Sequence, residues 1–260
     1  MAKAADRAKR PARTSVWLEG KALRNGAGRR SDQPSGLDRE RITEATVRLL
    51  DEEGLAKFSM RRLAADLNVT AMSVYWYVDT KDDLLELALD AAAGEMTLPG
   101  PEPVTPDRWR ETMRELAQEY RAMLVRHAWV SPLIGNFLNV GPNWIKFALS
   151  VQEVVRGTGL PTEKQAGTIA AVFQFVYGFG TVQGHYIARC AAAGLTPEEY
   201  FEEAMGAVND HPDLGETLHG SNDLMKARGG STVQEMWELD FTVALDLLIA
   251  GIEATLKPGP

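Results

Sequence analysis

A chain of 260 residues with 45% hydrophobic and 25% charged residues has apolar content for one large or two modest domains, each with a real core. It holds no apolar run of membrane-spanning length and no secretory-type apolar start, so a soluble cytoplasmic protein with no membrane partner is expected. One cysteine, Cys190, excludes an internal disulfide, and its neighbours Ala188 and Ala191 to Ala193 suit a packed thiol.

The net charge of −8 argues against a nucleic-acid partner until its distribution is read. Residues 1–36 hold nine Lys and Arg against three acidic residues (+6), residues 37–95 seven against thirteen (−6), and residues 96–260 the remaining −8. A basic segment directly before an acidic helical domain supplies charge for a phosphate backbone, because counterion release rewards each neutralised phosphate.

In chain order, residues 1–36 read as a flexible basic N-terminal arm, rich in Lys, Arg, Gly, Ala, Ser and Pro. The apolar tetrapeptide Ser15–Leu18 interrupts it and is expected to dock, since apolar residues are costly to expose in a segment with no core. Arg29 and Arg30 are candidates for an adjacent minor groove; a merely solubilising tail is the alternative. From Leu37 the pattern turns helical, with Ile42, Ala45, Val47, Leu49 and Leu50 on one face and Gly54 as terminator.

Residues 58–81 read as two short helices joined by a tight turn. Ser59 caps the first, whose Leu63, Ala64 and Leu67 recur at helical spacing. Asn68 tolerates the left-handed backbone of the turn, and Val69 fills the space between the helices. Thr70 caps the second helix, Ala71 to Tyr77, in which Val74 and Val78 face inward. Met72, Ser73, Tyr75, Trp76 and Tyr77 are left without a core to fill, which suits entry into a major groove supported on the flanking phosphates. The alternative is a buried helical pair. Thr80 then caps a helix with Asp82 and Asp83 in its first turn, where Lys81 and free backbone N–H groups can hold a phosphate.

The run from Gly54 to Leu89 resembles the DNA-binding region of the TetR (tetracycline-repressor-like) family, through the Leu63–Ala64 pair, Val69, the Tyr75, Trp76, Val78 set, Lys81 and Leu84–Leu85. It departs at Asn68, where Gly is usual, and at Met72, an apolar contact suited to a thymine methyl. The resemblance implies an all-α homodimer. An N-terminal three-helix helix-turn-helix domain (37–95, after the arm 1–36) is joined by a linking helix to a C-terminal helical ligand-binding and dimerisation domain (96–260). The DNA-facing candidates are Ser59, Arg61, Thr70, Met72, Ser73, Tyr75, Trp76, Tyr77 and Lys81, with Arg29 and Arg30 from the arm.

Four prolines between 99 and 106 mark the linker between domains. Helices are expected from Trp109 to His127, from Pro142 to about Gly157, over 163–193 with Thr162 as cap, over 197–208, and at the C-terminus. Gly180 and Gly184, one turn apart, permit close helix approach and suit a dimer interface. The stripe containing Phe241, Leu245, Leu248 and Ile252 joins them, because the last helix resembles that of the tetracycline-repressor subgroup. Trp109, Met113, Phe137, Trp144, Phe147, Phe173 and Tyr177 exceed what tight packing requires; with Gln174 and His127, and with His185 as a further polar group, they are candidates to bind a large, flat, aromatic effector.

The four histidines, 127, 185, 211 and 219, are scattered, and no nucleophile elbow, phosphate-binding glycine loop or zinc spacing appears, so neither catalysis nor a metal or other cofactor is expected. The sequence therefore reads as a ligand-responsive repressor of operator DNA, with a likeness to regulators of antibiotic export. A DNA-binding dimer without a small-molecule effector is the alternative.

Overall fold

The computed structural model describes residues 15–18, 37–100, 102–211 and 227–256, and every regular element among them is helical. In chain order these are α1 (Arg39–Glu53), α2 (Met60–Asp66), α3 (Ala71–Tyr75), α4 (Lys81–Ala93), α5 (Trp109–Arg126), α6 (Ser131–Ile134), α7 (Pro142–Gly157), α8 (Thr162–Ala193), α9 (Pro197–Asn209) and α10 (Val233–Leu256). Contacts divide the chain into one unit of residues through Met96 with Trp129–Leu149, and a second of Thr97–Ala128 with Ser150 onward. The segment that carries α6 and the first half of α7 therefore groups with the first unit.

The first unit is built around α4. Leu84, Leu85, Leu87, Ala88, Leu89, Ala92 and Ala93 are all buried, so this helix is covered on nearly every side. Each buried Leu contributes about 1.5–3 kcal/mol of transfer free energy. Two carboxylates, Glu86 and Asp90, are buried on the same helix and are satisfied by different segments. Asp90 accepts from the backbone N–H groups of Asn143 (3.0 Å) and Trp144 (3.1 Å) and from Asn143 Nδ2, and so caps the N-terminus of α7. Trp144 Nε1 donates to the Leu89 carbonyl at 3.1 Å, and a Cβ on Gly141 would meet the Asp90 carboxylate at 2.2 Å. Only a residue without a side chain lets α7 begin so close to α4.

In the second unit α5 packs on α8 and α10. Arg110, Arg114 and Arg121 of α5 pair with Glu253, Asp246 and Glu238 of α10, which fixes the two helices as antiparallel. The outer pairs contribute at most about 1 kcal/mol each. Arg121 differs: it is buried, donates through Nε to Gln183 (2.8 Å) and through Nη1 to Glu238 (2.9 Å), and lies over the rings of Phe179 and Phe241 at 5.1 and 4.5 Å. Phe175 stacks on Phe241 at 5.6 Å, and Tyr186, Tyr200 and Trp237 form a further ring cluster that holds α9. Thr162 opens α8 instead of capping it; Pro161 stands at the cap position without a side-chain hydrogen bond.

Candidate functional site

The helical pair α2–α3 is set by its end residues. Ser59 Oγ accepts from Arg62 N–H (3.2 Å), Thr70 Oγ1 from Ser73 N–H (3.2 Å) and Thr80 Oγ1 from Asp83 N–H (3.0 Å), so each of α2, α3 and α4 starts at a hydroxyl cap. Asn68 has φ 54°, the left-handed turn that lets α3 swing away from α2. Leu63 and Val74 are wholly buried beneath the pair. Arg62 bonds Glu53 at 2.7 Å and ties α2 to the end of α1.

That packing leaves one face of α3 outward. Met72, Trp76 and Tyr75 are 68%, 62% and 43% exposed, although large apolar side chains on a folded unit are ordinarily covered. Ser73 is half-buried, with its hydroxyl 2.9 Å from Thr70 Oγ1. Arg61, Ser59 and Thr70 are exposed beside them. α3 ends at Tyr75, two residues earlier than the expected Tyr77, and Trp76 takes the C-cap position.

Two further DNA-facing candidates, Tyr77 and Lys81, are also held by partners within the unit. Tyr77 donates through its hydroxyl to the Leu37 carbonyl (2.6 Å), its own carbonyl accepts from Arg39 Nη2 (2.9 Å), and burial, with Asp38 adding to it, pushes its phenol pKa up. Lys81 Nζ donates to the Phe58 carbonyl at 2.8 Å and lies 5.3 Å from that ring's centre. Its ammonium therefore ties the start of α4 to the start of α2, and a phosphate there would have to share it. Arg29 and Arg30 lie outside the described residues.

The effector candidates fall into both units. Trp109, Met113, His127 and Phe173 are buried in the second, with Gln174 exposed and Tyr177 half-buried on α8; Trp144 and Phe147, packed edge to face at 5.9 Å, are buried in the first. Gln174 lines a cavity of about 480 Å³ with Phe175, Phe179 and Trp237, and Phe137 lines one of about 830 Å³ with Leu133, Leu138 and Leu85. Tyr120, absent from the candidates, packs 6.3 Å from Phe173 and has its phenol pKa pushed up by burial and by Tyr177.

The dimer candidates lie at contacts within the single chain. A Cβ on Gly180 would meet Leu124 Cβ at 3.0 Å, and one on Gly184 the Leu124 carbonyl at 2.9 Å, so these glycines serve the approach of α5 to α8 within one chain. Phe241, Leu245 and Ile252 are likewise buried inside the unit, and Leu248 is half-buried. The opposite side of α10 carries Leu239, Val243 and Leu247, which are exposed, as is Val182 of α8. Both sides of α10 are apolar, so its periodicity could not say which one faced the core.

Sequence reasoning also missed the partners of Glu86. Ser15 Oγ donates to Glu86 Oε1, and Val16 N–H donates to Oε2 at 2.9 Å, with Ser15 and Val16 buried. The signal was the apolar tetrapeptide itself, which had to dock but named no partner.

Capped short helices, a left-handed Asn between them and an outward aromatic second helix define a helix-turn-helix DNA-binding protein. Residues 42–88 match the family described as bacterial regulatory proteins, tetR family, and residues 102–256 match the tetracyclin repressor-like C-terminal domain. An HTH-type transcriptional regulator of Saccharopolyspora erythraea is 32% identical over 222 residues, spanning 84% of this chain and 86% of that protein. The HTH-type transcriptional repressor DrrR1 of Streptomyces coeruleorubidus is 30% identical over 165 residues, 64% of this chain and 60% of that one. The crystal structure of the Streptomyces coelicolor TetR family protein ActR in complex with actinorhodin superposes with a TM-score of 0.64 at 26% identity, covering 85% of this chain and 98% of that one. The chain belongs to the TetR family of transcriptional regulators: it is a DNA-binding regulator and not an enzyme.

Proposed function

We propose that the protein is a cytoplasmic homodimeric repressor that binds a palindromic operator and releases it when a small molecule fills its C-terminal domain. The exposure of Met72, Tyr75 and Trp76 on a capped α3 carries the DNA-reading part. Ser73 and Met72, at the start of α3, read base edges, while Tyr75 and Arg61 rest on phosphates. The uncovered Leu239, Val243, Leu247 and Val182 are the surface on which a second copy pairs. α4 then connects what the effector does to the spacing between two recognition helices.

The effector is a flat, aromatic, polyketide-like compound, and the regulated gene encodes an exporter; the actinorhodin complex of ActR supports this class. Enrichment of duplexes from a random DNA pool tests the first part, and thermal shift of the dimer against a panel of aromatic polyketides tests the second. One observation favours an effector-free dimer: Trp109 and Met113 are 1% and 0% exposed, as core residues are. A panel in which no compound raises Tm, or releases the selected duplex, would decide for that second reading.

A further inference from the structure

The sequence singled out Ser15–Leu18 as an apolar interruption of a basic arm, and operator reading gives it no role. In the structure it is a turn closed on itself, with Leu18 N–H donating to the Ser15 carbonyl at 3.0 Å and Trp17 N–H to Ser15 Oγ at 3.2 Å. The turn occupies both oxygens of a carboxylate that belongs to α4, Glu86, which is itself only 5% exposed. A carboxylate brought so far out of water is tolerated when donors meet it, and here both donors come from the arm. Val16, 3% exposed, adds an apolar contact.

Trp17 extends the contact along α4. It lines a cavity of about 400 Å³ with Arg39 and Glu40 of α1, Leu87 and Asp90 of α4, and Asn143 of α7. Asp90 stands one helical turn beyond Glu86 and caps α7. One side of α4 therefore carries successive buried carboxylates, the first held by the arm and the second by α7.

We infer that Ser15–Leu18 is a strap that positions α4, with Glu86 as its anchoring residue, and that operator affinity is set in part through this strap. The functional half rests on the reading of α4 as the helix that relays effector binding to the DNA-reading pair. The strap holds α4 in the arrangement from which α3 reads DNA, so its loss weakens binding without removing any phosphate-contacting charge.

The test compares the full-length wild type with Val16→Asn, Ser15→Ala, Glu86→Gln and the Ser15→Ala/Glu86→Gln pair. Val16→Asn keeps the net charge, and circular dichroism melts check that the variant, whose position 16 is buried, stays folded. Amide hydrogen exchange over residues 81–93 is expected to quicken about tenfold in Val16→Asn while α5 and α8 are unchanged. The double variant should lose little more than either single one, as for groups that act together. Affinity for a duplex selected by the wild type should fall about fivefold with an unchanged salt slope. Unaltered exchange over α4 in every variant would show that the strap positions nothing. Faster exchange with unaltered affinity would overturn its effect on operator binding, and a flatter salt slope would assign the loss to the charged arm instead. If the wild type selects no duplex at all, the DNA-reading proposal and the functional half fall together, while the exchange result still decides the strap.

Discussion

Replacing Leu247 by Glu should separate two copies of the chain without disturbing either. Leu247 is 69% exposed in the single chain, so most of its side chain remains to be covered. Full burial of a Leu is worth about 1.5–3 kcal/mol, which leaves about 1–2 kcal/mol for the uncovered fraction. A two-fold interface counts each residue twice, so the loss is about 2–4 kcal/mol, or about thirtyfold to a thousandfold in the dimer dissociation constant. Burying two new carboxylates adds to this. Sedimentation velocity across a dilution series measures the constant, and circular dichroism melts check that the protomer stays folded. Leu245→Glu is the contrast: Leu245 is 2% exposed, so the same change there should unfold the second unit. A Leu247→Glu protein that dimerises like the wild type would refute the assignment of this side of α10 to the partner copy.

Gly184→Ala should lower stability by about 1–3 kcal/mol in urea melts, because the new Cβ would press on the Leu124 backbone carbonyl; an unchanged midpoint would mean α5 and α8 lie farther apart than 2.9 Å at that point implies. Asp90 makes stability depend on acidity. Burial raises its pKa above the ordinary value, opposed by the hydrogen bonds from Trp144 and Asn143, so its contribution is fully present below the unfolded pKa and is lost as pH rises through the folded one. The stability of the wild type relative to Asp90→Asn should therefore decline as pH rises above about 4, the ordinary carboxylate value; a difference that is flat or rises with pH would contradict it. Lys81→Ala should weaken binding to all duplexes alike and also destabilise the protomer by about 1 kcal/mol, since the Phe58 carbonyl loses its donor. Equal melts of the two proteins would show that this hydrogen bond contributes nothing.

The DNA-reading pair was legible because its signals are local. Ser59, Thr70 and Thr80 act on amides three residues away, and Asn68 bends its own backbone, so spacing alone locates them. What the sequence could not carry were choices between surfaces. Gly180 and Gly184 permit close approach without naming the helix that approaches, and α10 is apolar on both sides. Lys81 stands where a phosphate contact is expected, yet spacing did not disclose that the Phe58 carbonyl, 23 positions earlier, takes its ammonium. Glu86 and Asp90 look like the polar positions of an amphipathic helix. They are buried only because Ser15, Val16 and the start of α7 arrive from 53 to 71 positions away.

The outward face of α3 is the proposed DNA-reading surface, and Met72 tests it most directly. A duplex selected from a random pool should contain two inverted half-sites about 10 bp apart, each protected in a footprint. Against single-base variants of that duplex, Met72→Ala should lose discrimination at one base pair per half-site, worth about 1–3 kcal/mol, and keep the wild-type salt slope. Selection of no inverted repeat, or a Met72→Ala protein that discriminates all bases as the wild type does, would contradict the reading of α3 as the helix that enters the groove.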